Sequence, residues 1–146
     1  MEVIAFGTDV QGGALVNKFV PPTPSYNSLE QTSSSLVTSG RTASGAVVGT
    51  RVGNRNLSKI NLSWSVLTAK QWADIQNAIK GSTSSSILFY VRYFDMEKNS
   101  FIIRRMYAGD RSAKPLFLND DGTVKMWQSC TVNLVDAGES MTDPNA

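Results

Sequence analysis

Apolar and polar residues alternate along several stretches of the chain, and the clearest alternation runs from Leu57 to Val66. Its apolar residues share one face: Ile60, Leu62, Trp64 and Val66. A period of two is typical of a strand that buries one face and leaves the other to solvent, a lumen or a partner. The sequence therefore predicts a half-buried strand over residues 57–66.

Shorter runs of the same kind predict further strands. Residues 87–94 are the richest in β-branched and aromatic side chains, and Asp95 to Ser100 connects them to a return strand. The predicted strands besides 57–66 are residues 2–6, 14–20, 46–52, 87–94, 101–107 and 125–135. In the last of these, Cys130, Val132 and Leu134 share one face.

One helix is predicted over residues 69–80. Thr68 and Gln71 have the spacing of a capping box, in which each side chain bonds the backbone amide of the other residue. Trp72, Ile75 and Ile79 follow at helical spacing, and Gly81 suits the end of a helix. We expect this apolar stripe to pack on a sheet. The element order indicates a mainly β fold, an antiparallel sandwich or barrel with one flanking α-helix.

Two segments lack this patterning. Residues 21–45 begin with three prolines and continue with many serines and threonines, so they bury little apolar surface. They are predicted to form an extended arm or loop, which is either a disordered linker or a segment that becomes ordered against a neighbouring subunit. Residues 138–146 are predicted to be a mobile C-terminal tail. The 146 residues otherwise fit a single domain, 1–146.

Charge is sparse and unevenly placed. Only 18% of residues are charged, and the formal net charge is +2, which gives no argument for nucleic-acid binding by charge alone. Residues 31–73 contain no acidic residue, whereas five acidic residues and one lysine follow Asn119. A chain with a basic region and an acidic end could meet its neighbour head to tail, although such asymmetry also arises by chance.

The sequence offers little for catalysis. Histidine is absent, which removes the commonest general base and metal ligand, and a lone cysteine, Cys130, makes a zinc site or an internal disulfide implausible. Turn chemistry accounts for Asp95, Glu97, Asp120 and Asp121. We expect a non-enzymatic protein with no cofactor and no bound metal. Its N-terminal residues do not resemble a signal peptide, and no apolar run predicts a membrane helix.

Two binding chemistries stay open as alternatives. Arg92, Arg104 and Arg105 lie among aromatic residues on the predicted hairpin, as in a nucleic-acid-binding β domain, although strand arginines also pair with acids and cover apolar surface. A carbohydrate-binding module would need an aromatic platform. Trp64 and Trp72 fall on predicted core faces, which leaves Trp127 for that role.

Residues 41–136 resemble small phage and prophage tail proteins. The strings that carry the resemblance are a basic, glycine-containing strand (41–53), a lysine-led strand running into Leu-Thr and the helix (59–79), the strand 89–95, the end of the return strand at 107–110, and a last strand introduced by Trp127. Tail-tube subunits and the distal-tail or baseplate hub proteins are similar, with two sheets, one helix and a long loop.

The resemblance implies a structural subunit that assembles with copies of itself into a ring, usually a hexamer, around a channel through which DNA passes without sequence-specific binding. It implies adjacent tail or baseplate proteins as partners, no membrane, and a place in the virion after assembly in the host cytoplasm. The contact to a neighbour is expected in the arm and the basic region. The candidate interface residues are Ser33, Ser34, Ser35, Arg41, Arg51 and Arg55.

Overall fold

The computed structural model describes residues 2–25, 28–34, 37–41, 47–51, 56–80 and 86–138. These ranges form β1 (Ile4–Gly7), β2 (Asp9–Gln11), β3 (Ala14–Val16), β4 (Glu30–Ser34), β5 (Val37–Arg41), β6 (Val47–Arg51), β7 (Leu57–Thr68), α1 (Ala69–Ile79), β8 (Leu88–Asp95), β9 (Ser100–Leu118) and β10 (Val124–Asp136). The strand pairs are antiparallel throughout. The prediction of a mainly β fold with a helix beside the sheet is confirmed.

Six strands form the main sheet in the order β1-β8-β9-β10-β7-β4. The consecutive strands β8, β9 and β10 are joined as hairpins, and β7 then pairs with β10 rather than with β6. Two smaller hairpins, β2-β3 and β5-β6, lie outside this sheet. The connection through α1 is what carries the chain from β7 across to β8, three places along the sheet.

Helix α1 begins where the capping box predicts. The Gln71 amide donates to the Thr68 hydroxyl at 3.2 Å, and the Thr68 amide donates to the Gln71 side chain at 3.0 Å. Trp72, Ile75 and Ile79 are buried. The helix contacts β1 at one end of the strand order as well as β10 and β7 towards the other. The sheet therefore curves around the helix, as the sandwich or barrel prediction requires.

The core lies between the helix and the inner face of this curved sheet. The alternation predicted for β7 holds through Trp64, but Val66 is 43% exposed and Leu67 is buried in its place. On the neighbouring strand β10, Ser129 lies between the paired residues Gln128 and Cys130 and has a left-handed φ of 53°, and the register between β9 and β10 shifts there. A local distortion of this kind turns the next side chains to the other face. The assignment of Val66 to the core is therefore wrong.

Residues 21–45 are not a single arm. Glu30–Ser34 forms strand β4, which pairs with β7 over residues 57–61, and Val37–Arg41 forms one strand of a hairpin. Before β4 the chain is tied to β7, since the Trp64 indole donates to the Pro22 carbonyl at 2.8 Å and the Ser25 amide donates to the Ser63 carbonyl at 2.8 Å. These backbone bonds order a segment that has few apolar side chains. Of the predicted tail, residues 139–146 lie outside the described residues.

The return strand is far longer than the seven residues predicted. Strand β9 runs to Leu118, past Gly109 and Asp110, which were expected to end it. It continues because β10 provides a partner as far as Val124. Pro115 lies in this extension, where a residue without an amide proton is tolerated since one edge of the strand has no partner strand in the described sheet. The extension forms a feature that sequence periodicity did not show.

Candidate assembly surfaces

Strands β9 and β10 extend past the end of β8 over residues 109–129, called the ribbon below; β7 stays paired with β10 as far as Met126, and beyond that point only β9 and β10 continue. Strand β8 pairs with β9 only as far as Tyr107, so the ribbon has no described partner strand on that side. No residue of the ribbon is buried. Two apolar side chains stand at its tip, Phe117 at 55% exposure and Leu118 at 63%. The base of the ribbon packs against the core through Ala113 and Trp127, and its tip extends beyond that contact.

The turn at the tip is well bonded. The Asn119 amide donates to the Thr123 carbonyl at 2.7 Å, and the Gly122 amide donates to the Asn119 carbonyl at 3.0 Å. Asp121 accepts from both the hydroxyl and the amide of Thr123, at 2.6 and 3.0 Å. These bonds hold the pKa of the Asp121 carboxyl below its usual value. Phe117 and Leu118 are therefore presented next to an ordered turn.

A small apolar pocket opens at the other end of β9, and we call it the seam pocket because it lies where β4 comes close to β8. Its volume is about 190 Å³. It is lined by Val3, Leu29, Gln31, Ile60, Tyr93, Phe94 and Phe101. Gln31 crosses the seam, donating to the Phe94 carbonyl at 2.5 Å and accepting from the Met96 amide at 3.1 Å. The Gln31 side chain thus makes the link between β4 and β8 that backbone hydrogen bonds make between paired strands.

Two exposed phenyl rings form the rim of the seam pocket. Phe94 and Phe101 are 44% and 42% exposed and meet edge to face with centroids 5.3 Å apart. The Arg92 guanidinium lies 4.2 Å from the centre of the Phe101 ring and 3.2 Å from Glu2. A hydrogen bond from Lys18 and the charges of Lys18 and Arg92 hold the pKa of Glu2 below its usual value. The rim is thus fixed by stacking and by ion pairs.

The candidate interface residues from the sequence are not brought together. Ser33 lies on β4 and donates to the Glu97 carboxylate, and Ser34 is exposed at the end of the same strand. Arg41 and Arg51 pair with Val47 and Val37, which places their backbones at opposite ends of the β5-β6 hairpin. Ser35 and Arg55 lie outside the described residues. Sequence reasoning missed both the ribbon and the seam pocket.

The arginine cluster considered for nucleic acid does not form a surface. Arg104 shares the inner face with Ile102 and Met106 and is 2% exposed. Its guanidinium lies 2.9 Å from the Ser58 hydroxyl and 3.6 Å from Asp136, whose carboxylate also accepts from the Ser58 amide. The interpretation of Arg104 as a surface residue is wrong. The sequence signal for its burial was its position, two residues from Ile102 and two residues from Met106, which both face inwards.

Tyr93 lies beside this buried polar group. Burial raises the pKa of its phenol to about 12, and the opposing effects of Ser58 and Arg104 are smaller. Cys130 is fully buried, and burial raises the pKa of its thiol as well. A thiol in that state is a poor nucleophile. These groups belong to the interior and offer no open chemical site.

The tryptophans do not provide a sugar platform. Trp64 and Trp72 lie in the core with ring centres 6.4 Å apart, as expected. Trp127, expected to be free, is half-buried and packs against the core. A wider cleft of about 490 Å³ lies between α1 and the β2-β3 hairpin, with Asn17, Asp74 and Asn77 in its walls.

Within the ranges given above, no three residues among Cys, Asp and Glu lie close enough to hold a metal ion. No helix in the described part of the chain is long and apolar enough to cross a membrane. No protein-family model matches the chain, and no curated protein matches its sequence.

Proposed function

We propose that this chain is a structural subunit of a bacteriophage tail, either of the tail tube or of the distal-tail or baseplate hub, that assembles into rings. Copies of the chain are the main partners, in a ring that we expect to be hexameric, and adjacent tail or baseplate proteins are the others. DNA passes through the central channel without sequence-specific contacts. The protein is made in the host cytoplasm, is part of the virion, and is not an enzyme.

The observation that carries this proposal is the ribbon. At its tip, residues 117–125, the ribbon is a two-stranded hairpin with no buried residue, and such a hairpin is marginally stable in water by itself. Large exposed apolar side chains at its tip are typical of a contact with another molecule. A neighbouring subunit would cover these residues and stabilise the ribbon.

The two ends of the sheet are covered in different ways. Strand β4 ends the sheet order, and among the described strands nothing pairs with its outer edge. The other end of the sheet, β1, is partly covered, because Phe6 and Phe19 exchange both backbone hydrogen bonds at 2.8 and 2.9 Å. Glu30, Thr32 and Ser34 are the exposed side chains of β4. Side chains of β4 also bridge the seam, since Gln31 bonds the backbone of Phe94 and Met96, so neither end of the sheet is a wholly free edge.

The two alternatives have less support. A nucleic-acid-binding sheet would need Arg104 on its surface, and it lies in the core beside Asp136. A carbohydrate-binding module would need an exposed aromatic platform at a polar pocket, whereas Trp127 packs against the core. Neither chemistry explains the projecting ribbon.

The test is the mass and shape of the purified protein, by light scattering and negative-stain imaging over a concentration series. Rings or stacked rings with a central channel are the expected result. A protein that stays monomeric at every concentration, and also with the neighbouring tail proteins added, contradicts the proposal. Screening glycans and DNA against that monomer would then test the alternatives.

A further inference from the structure

The tip of the ribbon and the seam pocket have complementary chemistry. The tip presents Phe117 and Leu118, which are more than half exposed, and the pocket is a mainly apolar hollow of about 190 Å³. An apolar cavity of about 150 Å³ accepts a benzene molecule, so this pocket has room for one phenyl side chain. We propose that the ribbon tip of one copy inserts Phe117 into the seam pocket of a second copy. This inference rests on the proposed self-assembly and specifies its contact.

A chain cannot fill its own pocket in this way. Phe101 at the rim of the pocket and Phe117 at the tip of the ribbon belong to the same strand, sixteen residues apart. At roughly 3.3 Å per residue they are separated by roughly 50 Å. The contact must therefore join different copies. It is heterologous, because each copy offers one tip and one pocket, and such contacts close into rings when the rotation between copies allows it.

The tip carries both signs of charge, with Asp120 and Asp121 in the turn and two lysines beside it, and the lysines match a carboxylate next to the pocket. Lys114 and Lys125 are exposed near the tip, and neither forms an ion pair with another described residue. Glu30 lies between the pocket residues Leu29 and Gln31, is exposed, and bonds within the described chain to the neutral Asn61 side chain at 3.1 Å. A lysine of the incoming ribbon would give this carboxylate a partner. Charge pairs at the rim of an interface favour correct encounter more than affinity.

The wall of the pocket is held in an unusual conformation. Leu29 has a φ of 61°, in the left-handed region that a bulky side chain rarely adopts. Its side chain lies in the pocket, half-buried, beside Val3. Strain of this kind is retained where the surrounding structure requires it and is common at binding sites. Here it places an apolar side chain at the mouth of the pocket.

The experiment uses two variants of the full chain and their mixture. Phe117→Asp removes the apolar tip, and Leu29→Asp puts a charge in the pocket while using a residue that tolerates the left-handed region. Each variant alone is expected to self-associate roughly 30-fold more weakly than the natural chain, as for the loss of a central contact. Val20→Asp, at another exposed apolar side chain, is the control and is expected to assemble normally.

Mixing the two variants is the decisive step. The Leu29→Asp chain keeps an intact tip and the Phe117→Asp chain keeps an intact pocket, so an equal mixture is expected to form a dimer and stop there, as measured by sedimentation velocity. A disulfide cross-link detects the contact even if binding is weak. One chain carries Leu118→Cys and the other Val3→Cys, both also carry Cys130→Ser, and the two are mixed and oxidised. A cross-linked dimer is expected, and none with Val20→Cys in place of Leu118→Cys.

Three results would overturn the inference. The contact is wrong and the proposed function stands if the natural chain forms rings and either variant assembles equally well. The same holds if the natural chain forms rings and the mixture stays monomeric with no cross-link. If the natural chain itself never associates, the proposed function and the contact fail together. A reversal pair completes the design: Glu30→Lys is expected to weaken association two- to fivefold, and Lys114→Glu in the same chain to restore part of it.

Discussion

Strands β9 and β10 pass through two regions of the molecule that are stabilised in different ways. In the core, their inner residues Met106, Cys130, Val132 and Leu134 are fully buried beneath α1. In the ribbon, β9 continues for ten residues and β10 for six; none of them is fully buried, and Ala113 and Trp127 at the base pack against the core. Burial within the monomer explains why the strands are ordered in the core, but it does not explain why they extend into the ribbon. We propose that the core serves stability and that the tip of the ribbon serves contact with another molecule.

The largest difference is expected for a matched pair of aspartates. Asp136→Ala removes the carboxylate that lies 3.6 Å from the buried Arg104 guanidinium, and it should lower the free energy of unfolding by about 3–5 kcal/mol. Asp120→Ala, in the exposed turn of the ribbon, should change it by less than about 0.5 kcal/mol. Urea denaturation measures both. Equal effects would remove the distinction between the two regions.

A matched pair of leucines tests the same comparison without charge. Leu134 is fully buried and Leu118 is 63% exposed. Leu134→Ala should cost about 2–5 kcal/mol through the lost apolar contacts and the cavity that remains. Leu118→Ala should leave the unfolding free energy of the monomer within about 0.5 kcal/mol and act on assembly instead. A large loss of monomer stability at Leu118 would show that the ribbon is part of the core.

Tyr93 should make the core sensitive to alkali. Its pKa is raised from 10.0 to about 12 in the folded protein, so the folded state holds the proton more tightly than the unfolded state does. The associated stability is complete below pH 10 and is lost as the pH rises towards 12, by roughly 2–3 kcal/mol. Tyr93→Phe should remove this part of the pH dependence, and Tyr107→Phe serves as the control. An unchanged alkaline profile in Tyr93→Phe would refute the assignment.

The smallest expected effect compares two threonines that hold local structure. Thr68→Ala removes the helix cap and should lower stability by about 1 kcal/mol. Thr123→Ala removes the hydroxyl that bonds Asp121 and Asn119 in the ribbon turn. It should leave thermal unfolding of the monomer almost unchanged while increasing hydrogen exchange at the tip. A thermal shift at Thr123 as large as that at Thr68 would argue against an independent ribbon.

The sequence was informative where one side-chain pattern controls one element. The capping box at Thr68 and the stripe of Trp72, Ile75 and Ile79 located α1 to within a residue. The alternation in β7 identified its inner face through Trp64. In these elements burial depends on the period of the apolar residues, so a local pattern is enough to place them.

It was less informative where a partner strand decides the structure. Strand β4 has almost no apolar side chains and is ordered by its pairing with β7, which no pattern within residues 30–34 reveals. The ribbon exists because β9 and β10 match each other well beyond the core. Arg104 was placed outside because its charge was weighed above its position between Ile102 and Met106. The seam pocket joins residues from five separate segments, and such proximity is a property of the fold.

The central claim is that the ribbon makes the contact between copies. The most direct measurement compares, by sedimentation velocity, the natural chain with a variant in which residues 116–126 are replaced by Asn-Gly, a turn that joins the paired residues Pro115 and Trp127. We predict rings for the natural chain and a folded monomer for the variant, with helix content and thermal unfolding unchanged. A shortened variant that assembles as well as the natural chain would contradict the account.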